Sequence, residues 1–353
     1  MMPDYRHDNP YQLLLATALE RQGVDIVFPS GYRRMLPIFR ACRDHSPVDV
    51  LHLHWSEPFS KGKTWFRRAF YWTKLLMDLW FVRLSGIRVI WTLHNLMPHE
   101  CSYPQLEKYF RQRLLRGMSH VIVHGRQSYQ DVIAVLSCPA DKVTVVHHGN
   151  YQGFYPLATL EMRCESRGSL PVDHRVFMFF GIMRPYKGIE RLLRAWHELQ
   201  PENASLWLAG PCSDPVYEAE LRSIAANMPN VRFECGFVPK DHVSRLFAGA
   251  DVVVLPFQRV QTSGSVILAL SFGKPVIAPR IGEVPETVGD ADALLYDAQS
   301  NDGLSSALRR ALTGDLRDVS VSSKASGDRL NWGSVAAKTN AIYSAAVSTC
   351  SRS

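Results

Sequence analysis

The chain has 353 residues, of which 46% are hydrophobic and 21% are charged; this composition excludes a disordered tail, a collagen-like fibre and a disulfide-stapled miniprotein, and the length suits one large domain or two smaller ones. The net charge of +7 lies wholly in residues 1–150, which hold 19 Lys and Arg against 12 Asp and Glu, whereas residues 151–353 hold 21 of each. The seven cysteines are odd in number and contain no C-x-x-C pair, which is typical of a reducing compartment. The first residues lack the apolar core of a signal peptide, so we expect a cytoplasmic protein.

Short apolar runs rich in β-branched residues alternate with helical stretches in residues 1–150, which predicts an α/β fold with a parallel sheet. The predicted strands are 24–28, 48–54, 88–94, 120–124 and 142–148, and the predicted helices are 10–22, 64–84, 104–117 and 126–136. Asn9-Pro10 starts a helix almost at once. The first strand is therefore either very short or encoded upstream of Met1.

The second half repeats this alternation. Its predicted strands are 175–181, 204–210, 231–236, 251–257, 274–279 and 293–297, and its predicted helices are 188–199, 215–227, 240–248, 264–272, 302–313 and 333–348. We therefore predict two doubly wound domains, 1–150 and 173–353, joined by a linker over 151–172, with the last helix able to pack back on the first domain. Ligands of such sheets bind beyond the carboxyl ends of the strands, so we expect the domains to face each other across a cleft.

The helix predicted over 64–84 is apolar but contains Lys74, Asp78 and Arg83, and more cations precede it. A bilayer requires about 20 consecutive apolar residues, so this segment does not suit a membrane span. It fits an amphipathic helix that lies on an anionic membrane surface, or a domain helix with one buried and one solvated face. The basic half shows no recognition helix, zinc finger or RNP pattern, so we expect no nucleic-acid partner.

Two loops of the second half combine glycine, small hydroxyls and cations at strand ends. In one, Gly181 ends a strand, and Arg184 and Lys187 follow before a helix begins at Gly188. In the other, 263–265 (Ser-Gly-Ser) precede an apolar helix. Both suit the binding of a phosphate or diphosphate; the alternatives are a solvated cation pair and a simple helix N-cap.

Histidines recur at the strand ends of the first half. They are His52 and His54, His94, His99 beside Glu100, His124, and His147 with His148. This placement suits recognition of a polar ligand or general acid–base chemistry. No carboxylate stands at metal-ligand spacing, so we expect no metal, and the dinucleotide and P-loop fingerprints are absent.

These residues carry a resemblance to glycosyltransferases of the GT-B fold, which hold a nucleotide-sugar donor in the C-terminal of two Rossmann-like domains. GIMRPYKG (181–188) resembles the diphosphate-binding turn of that family, and GFVP (236–239), which contains Val238, is similar to a nucleotide-side segment. GKPVIAPRIGEVPE (273–286) is similar to the segment after the donor loop. The resemblance implies donor binding by Gly181, Arg184, Lys187, Val238, Ser263, Gly264 and Ser265.

Within that family the chain resembles bacterial exopolysaccharide β-mannosyltransferases of the xanthan type, through DVLHLHWSEP (49–58) and WTLHNLMPHE (91–100). This similarity implies transfer of mannose from GDP-mannose to a polyprenyl-diphosphate-linked oligosaccharide, without a metal, by a protein peripherally bound to the inner face of the cell membrane. The alternatives are a UDP-sugar donor and an inactive scaffold of a polysaccharide assembly complex.

The chain departs from the family at the donor loop. Large retaining families place two glutamates there with seven residues between them, and those places hold Val260 and Leu268. An inverting enzyme requires a general base on the acceptor side. His94, Glu100 and Glu57 are the candidates for that catalytic role.

Overall fold

The computed structural model describes residues 1–7, 9–32, 35–59, 62–97 and 101–348. The chain forms two compact units: Met1–Gly149 together with the last helix, and Asn150–Asn331. Each unit contains one parallel sheet with helices packed against it. The described residues contain no helix that is both long and apolar enough to cross a membrane.

The secondary structure follows the predicted alternation of strands and helices. The strands are β1 Val50–Leu53, β2 Arg88–Thr92, β3 His120–Val123, β4 Val143–Val145, β5 Arg175–Phe180, β6 Ala204–Gly210, β7 Val231–Cys235, β8 Val252–Val254, β9 Val276–Pro279 and β10 Leu295–Tyr296. The α-helices are α1 Pro10–Glu20, α2 Pro37–Asp44, α3 Trp65–Leu84, α4 Pro104–Arg116, α5 Arg126–Leu136, α6 Leu160–Arg167, α7 Ile189–Leu199, α8 Pro215–Ala225, α9 Lys240–Gly249, α10 Gly264–Ser271, α11 Val284–Val288, α12 Gly303–Thr313, α13 Arg317–Arg329 and α14 Trp332–Ser348.

The first unit has a four-stranded sheet in the order β1-β2-β3-β4, with every neighbouring pair parallel. Successive side chains of a strand point to opposite faces, so the sheet separates two apolar cores. Ile90 and Ile122 pack with α1 and α14 on one face. Val89 and Val121 pack with α2, α3, α4 and α5 on the other face.

The strand predicted over 24–28 is wrong. The free edge of β1 is occupied by Met2, whose N–H donates to the carbonyl of His52 and whose carbonyl accepts from the N–H of His54, both at 3.0 Å. Residues 24–28 lie outside this bridge. The ammonium group of Met1 donates to the carbonyl of Val27, and no ladder forms there.

Helix α2 was not predicted, because the side chain that caps it comes from a distant part of the sequence. Leu36 precedes it with φ of 50° and makes no side-chain cap. The buried carboxylate of Asp78 on α3 instead accepts from the N–H groups of Ile38 at 2.9 Å and Phe39 at 2.8 Å. A negatively charged carboxylate at a helix N-terminus also interacts favourably with the positive end of the helix dipole.

The second unit has a six-stranded parallel sheet in the order β10-β9-β8-β5-β6-β7. The segment 151–172, predicted as a linker, contains α6 and belongs to this unit. Arg163 and Arg167 of α6 donate to the carboxylate of Asp251 at 2.7 and 2.8 Å, beside β8. These pairs fix a helix whose own sequence has no apolar stripe.

Candidate functional site

Two glycines stand at the carboxyl ends of β5 and β6 in the second unit and allow three chain segments to pack closely there. Gly181 has φ of 139° and Gly210 has φ of 135°, which is a backbone conformation that favours glycine. A Cβ at Gly210 would overlap the carbonyl of Gly181, and a Cβ at Gly181 would lie 2.9 Å from Oγ of Ser265. The turn after β5 therefore approaches the start of α10.

Lys187 lies in the 3-10 turn Pro185–Lys187, which follows β5 and Gly181. Its Nζ lies 4.6 Å from the ring centroid of Phe257 and 5.5 Å from that of Tyr186. In the second unit, all of which is described, no carboxylate forms an ion pair with Lys187. Burial lowers the pKa of this ammonium group to about 8. The turn thus holds a partly desolvated cation that no carboxylate of the second unit neutralises. Binding of an anion there would offset the cost of its burial.

The turn is rigid around this lysine. Gly188 has φ of 71°, and a Cβ there would overlap the carbonyl of Pro256. The N–H of Gln258 donates to the carbonyl of Tyr186 at 2.9 Å. Arg184 precedes the turn with extended backbone and is half-buried.

Helix α10 begins beside Gly181. Oγ of Ser263 accepts from the N–H of Val266 at 3.3 Å, so Ser263 is the N-cap that the sequence left open as an alternative. The N–H groups of Gly264 and Ser265 have no carbonyl four residues earlier within the helix. This N-terminus is therefore able to add hydrogen-bond donors and a positive partial charge near the turn.

Val238 is half-buried in the loop after β7 and follows Phe237, which is 87% exposed. The pairing of Gly210 with Cys235 places this loop beside the end of β6. The strand order thus brings the loops that contain Gly181, Cys212 and Val238 to one edge of the sheet.

Sequence reasoning missed Glu283. This residue is 2% exposed, its carboxylate accepts from the hydroxyl of Thr262, and its N–H donates to the carbonyl of Gln261 at 2.9 Å. Gly282, with φ of 55°, permits this close approach. A buried carboxylate thus supports the loop of Val260, a position at which the resemblance implies a glutamate. The only local signal was a glutamate after Gly282, four residues beyond the strand predicted over 274–279.

In the first unit the histidines at the strand ends form one cluster. Nδ1 of His54 lies 3.3 Å from Nε2 of His94, and Nδ1 of His94 lies 3.1 Å from Nε2 of His124. Tyr11 of α1 packs its ring against these imidazoles, at 5.0 to 5.7 Å between centroids. Trp55 stacks on His94 at 4.3 Å.

Burial keeps this cluster uncharged. It lowers the pKa of His52 and His148 to about 3 and that of His124 to about 4. It also lowers the pKa of His54 and His94 well below the usual 6.5. Across the described residues, no three His, Cys, Asp or Glu side chains are arranged to hold a metal ion.

Glu57 follows β1 and is held by a buried arginine. Nη2 of Arg111, a residue 1% exposed, donates to Oε1 of Glu57 at 2.9 Å, and its Nη1 donates to the carbonyl of Asn95 at 3.0 Å. Arg111 therefore fixes the loop of Glu57 and the loop of His94 together. Glu100 and His99 lie outside the described residues.

Comparison with known proteins defines the class. The chain matches a GT-B sucrose-phosphate synthase from Thermosynechococcus elongatus with a TM-score of 0.69 and 22% identity, over 89% of this chain and 77% of that one. It matches the Anabaena protein HepE in complex with UDP with a TM-score of 0.71 and 16% identity, over 93% and 88% of the two chains. The fold is therefore GT-B.

Sequence relatives give the family. The profile of the family described as "Glycosyl transferases group 1" matches residues 174–314. The GDP-mannose:glycolipid 4-beta-D-mannosyltransferase of Xanthomonas campestris pv. campestris is 30% identical over 287 residues, which cover 78% of this chain and 76% of the relative. The chain belongs to the group 1 glycosyltransferases and is a glycosyltransferase enzyme.

Proposed function

We propose that the enzyme transfers a hexose, namely mannose from GDP-mannose, to a polyprenyl-diphosphate-linked oligosaccharide during exopolysaccharide biosynthesis. The observation that carries the nucleotide-sugar site is Lys187, a partly buried ammonium group just after β5 that has no ion-pair partner in the second unit. The name of the Xanthomonas relative supports GDP-mannose and a glycolipid as the two substrates.

Glycosyl transfer breaks the bond between the anomeric carbon and an oxygen of the β-phosphate and forms a bond from that carbon to the acceptor oxygen. Negative charge therefore develops on the departing nucleoside diphosphate. Lys187 and Arg184 supply positive charge at that point, and the N–H groups of Gly264 and Ser265 supply hydrogen bonds. These groups stabilise the leaving group without a metal. Gly181 allows the phosphates to approach the backbone, and Val238 contributes to the nucleotide side.

The first unit supplies the acceptor chemistry in this proposal. Glu57 and Glu100 are the candidates for the base that removes the proton of the acceptor hydroxyl, with His94 as a third. Arg111 fixes Oε1 of Glu57, which leaves Oε2 for a hydroxyl group. The ion pair with Arg111 also orients the carboxylate of Glu57.

A nucleotide panel tests the donor. GDP and GDP-mannose are expected to raise the melting temperature by about 5 °C or more at 100 times the dissociation constant, because such a ligand adds about 2.7 kcal/mol to the stability of the native state. UDP, ADP and dTDP are the controls and are expected to give smaller shifts. A selective shift with UDP would discard the mannosyl assignment. No shift with any nucleotide would favour the scaffold alternative.

We also propose that α3 binds an anionic membrane surface. At 100° per residue, Phe66, Phe70, Met77, Trp80 and Leu84 lie on one stripe of this helix. All five are exposed, Phe66 to 77% and Leu84 to 64% of the side chain. The stripe is about 27 Å long at 1.5 Å per residue.

The cations of α3 flank this stripe. Arg67 and Lys74 lie on one side of it and Arg83 lies on the other, while Trp72, Leu75 and Leu79 face the core of the unit. Apolar side chains with cations on both sides match the boundary between acyl chains and anionic head groups. A lipid-linked acceptor lies at that boundary.

Vesicle binding tests this surface. Phe70→Glu is expected to weaken binding to phosphatidylglycerol vesicles about 10- to 100-fold, because burial of a phenylalanine side chain contributes about 1.5–3 kcal/mol. Val321→Glu, at an exposed position of α13, is the matched control and is expected to bind as the wild type does. Equal binding by both variants, or binding that does not fall with rising salt, would contradict the proposal.

A further inference from the structure

A cavity of about 680 Å³ lies beside the free edge of β1 in the first unit. Residues of β1 line it on one side, and the extended residues 23–27 line it on another. The C-terminal ends of α2 and α14 close it above and below, and these two helices belong to the two cores on opposite faces of the sheet. The cavity is therefore a slot in the plane of the sheet.

The first two residues show which kind of structure fits this slot. Met2 makes two backbone hydrogen bonds with the edge of β1, at His52 and His54, both of 3.0 Å. Met1 faces the other side, where its amine donates to the carbonyl of Val27 at 2.6 Å. Backbone groups of successive strand residues point to opposite neighbours in this way. Met1 and Met2 thus fill one end of the slot as two residues of a parallel strand.

The edge of β1 presents hydrogen-bonding groups along the rest of the slot. The carbonyl of Asp49 accepts from Arg88 on the β2 side, whereas the carbonyl of His52 faces the slot. Val50 has the same orientation as His52, because alternate residues of a strand point to the same side, so its N–H and carbonyl also face the slot. Within the described residues, no backbone hydrogen bond joins Val50 to a neighbour on that side. An unpaired sheet edge is a template for another strand.

The other side of the slot has the burial pattern of an edge strand. Val24, Ile26 and Phe28 are half-buried, whereas Asp25 and Val27 are exposed. This alternation is typical of a strand that packs one face on a core, and Val24 and Ile26 do pack against the core formed with α1 and α14. The slot separates these residues from β1, so they have no neighbouring strand with which to form a ladder.

We propose that the slot holds an extended apolar segment of the chain, joined directly to Met1, which runs parallel to β1 and pairs with β1 on one side and with 24–28 on the other. At about 3.3 Å per residue, about five residues match the edge from Val48 to His52. The chain itself is the occupant, because Met1 and Met2 already fill the end of the slot through which a separate peptide would have to continue. Burial also lowers the pKa of the Met1 amine to about 6, and an uncharged amide N–H at that place removes the cost of burying a charge.

The added strand also changes the surroundings of the acceptor-side residues. The carboxyl end of β1 leads directly to His54 and then to Glu57. A strand in the slot converts β1 from an edge strand to an inner strand of the sheet, with hydrogen bonds on both sides. The segments that carry these two residues are thereby held more firmly.

Two extensions of the 353-residue chain separate strand pairing from added length. One adds about five valine and isoleucine residues before Met1, which suit a strand buried on both faces, and the control adds the same number of glycine and serine residues. We expect the apolar extension to raise the melting temperature of the first unit by about 5 °C or more. Amide exchange of Val50 should also slow about tenfold or more. The control extension should change neither value. Equal values for the two extended proteins would overturn the proposal.

The protein purified from its own cells provides a second measurement. Mass spectrometry of its N-terminal peptide should find apolar residues directly before Met1, and a native protein that begins at Met1 would overturn the proposal. Slow amide exchange of Val50 in the 353-residue chain itself would also overturn it, because a second copy or another partner would then fill the slot. These measurements use neither nucleotide nor acceptor, so their outcome does not depend on the function proposed above.

Discussion

Acidification from pH 7.5 to pH 5 is expected to remove most of the stability of the first unit. Among the described residues of that unit, four histidines are buried, namely His52, His54, His124 and His148. Burial holds the pKa of each below its usual value, to about 3 for His52 and about 4 for His124. In the unfolded chain the same groups take up protons near pH 6.5.

The sign of the effect follows from this difference. A histidine with a lowered folded pKa contributes stability that is present above pH 6.5 and is lost as the pH falls toward the folded pKa. At pH 5 each such group has lost about 2 kcal/mol, so four groups have lost about 8 kcal/mol. A domain has only about 5–15 kcal/mol in total.

Urea unfolding at a series of pH values measures this loss, and limited proteolysis with mass spectrometry assigns it to a unit. The histidines of the second unit are not buried, so this unit should change much less over the same range. His52→Gln should reduce the pH slope by about one proton, and the exposed His197→Gln should not change it. A stability that is flat from pH 7.5 to pH 5 would contradict the expectation.

Lys187→Met is expected to lower kcat/KM for transfer by about 100- to 1000-fold, which is the usual cost of removing one donor from a developing oxyanion. Methionine keeps the length and the apolar contacts with Phe257 and Tyr186 but removes the charge. The fold should survive, because the ammonium group has no ion-pair partner to leave behind in the second unit.

The control is Lys324→Met, since Lys324 is an exposed lysine of the same unit that pairs with Asp328. This variant should transfer sugar at the rate of the wild type. In the wild type, donor affinity should fall above about pH 8, because Lys187 then loses the proton that pairs with the diphosphate. A Lys187→Met enzyme with wild-type activity would remove this residue from the site.

Most of the regular structure follows from local sequence patterns. Continuous β-branched runs predict buried parallel strands, and β6 and α5 have the predicted bounds. The elements that escaped prediction depend on distant partners. Helix α13 packs Gly327 against Leu270 of α10, and Ser326 donates to the carbonyl of Val288 in α11. The buried residues of this helix are small and polar, so its apolar period is too weak to detect.

The candidate site divides in the same way. The glycines and cations of 181–188 lie in one loop and are therefore close together in the sequence. The sequence alone is enough to predict this part of the site. The support of Thr262 by Glu283 spans 21 residues, and that of Glu57 by Arg111 spans 54. No sequence pattern predicts either of these two contacts. The sequence predicts that the histidines lie at strand ends. The structure is needed to show which ring nitrogens of His54, His94 and His124 contact each other.

The position of α14 has a consequence for biosynthesis. This helix packs on α1, and the hydroxyl of Tyr343 lies 2.5 Å from Nδ1 of His52 at the end of β1. The first unit thus needs residues from both ends of the described chain, while the second unit is contiguous. On the ribosome, Asn150–Asn331 are complete before α14 emerges. The unit whose translation begins first is therefore completed last. Until α14 is translated, the apolar sheet face that this helix covers stays exposed, and a chaperone is able to bind it.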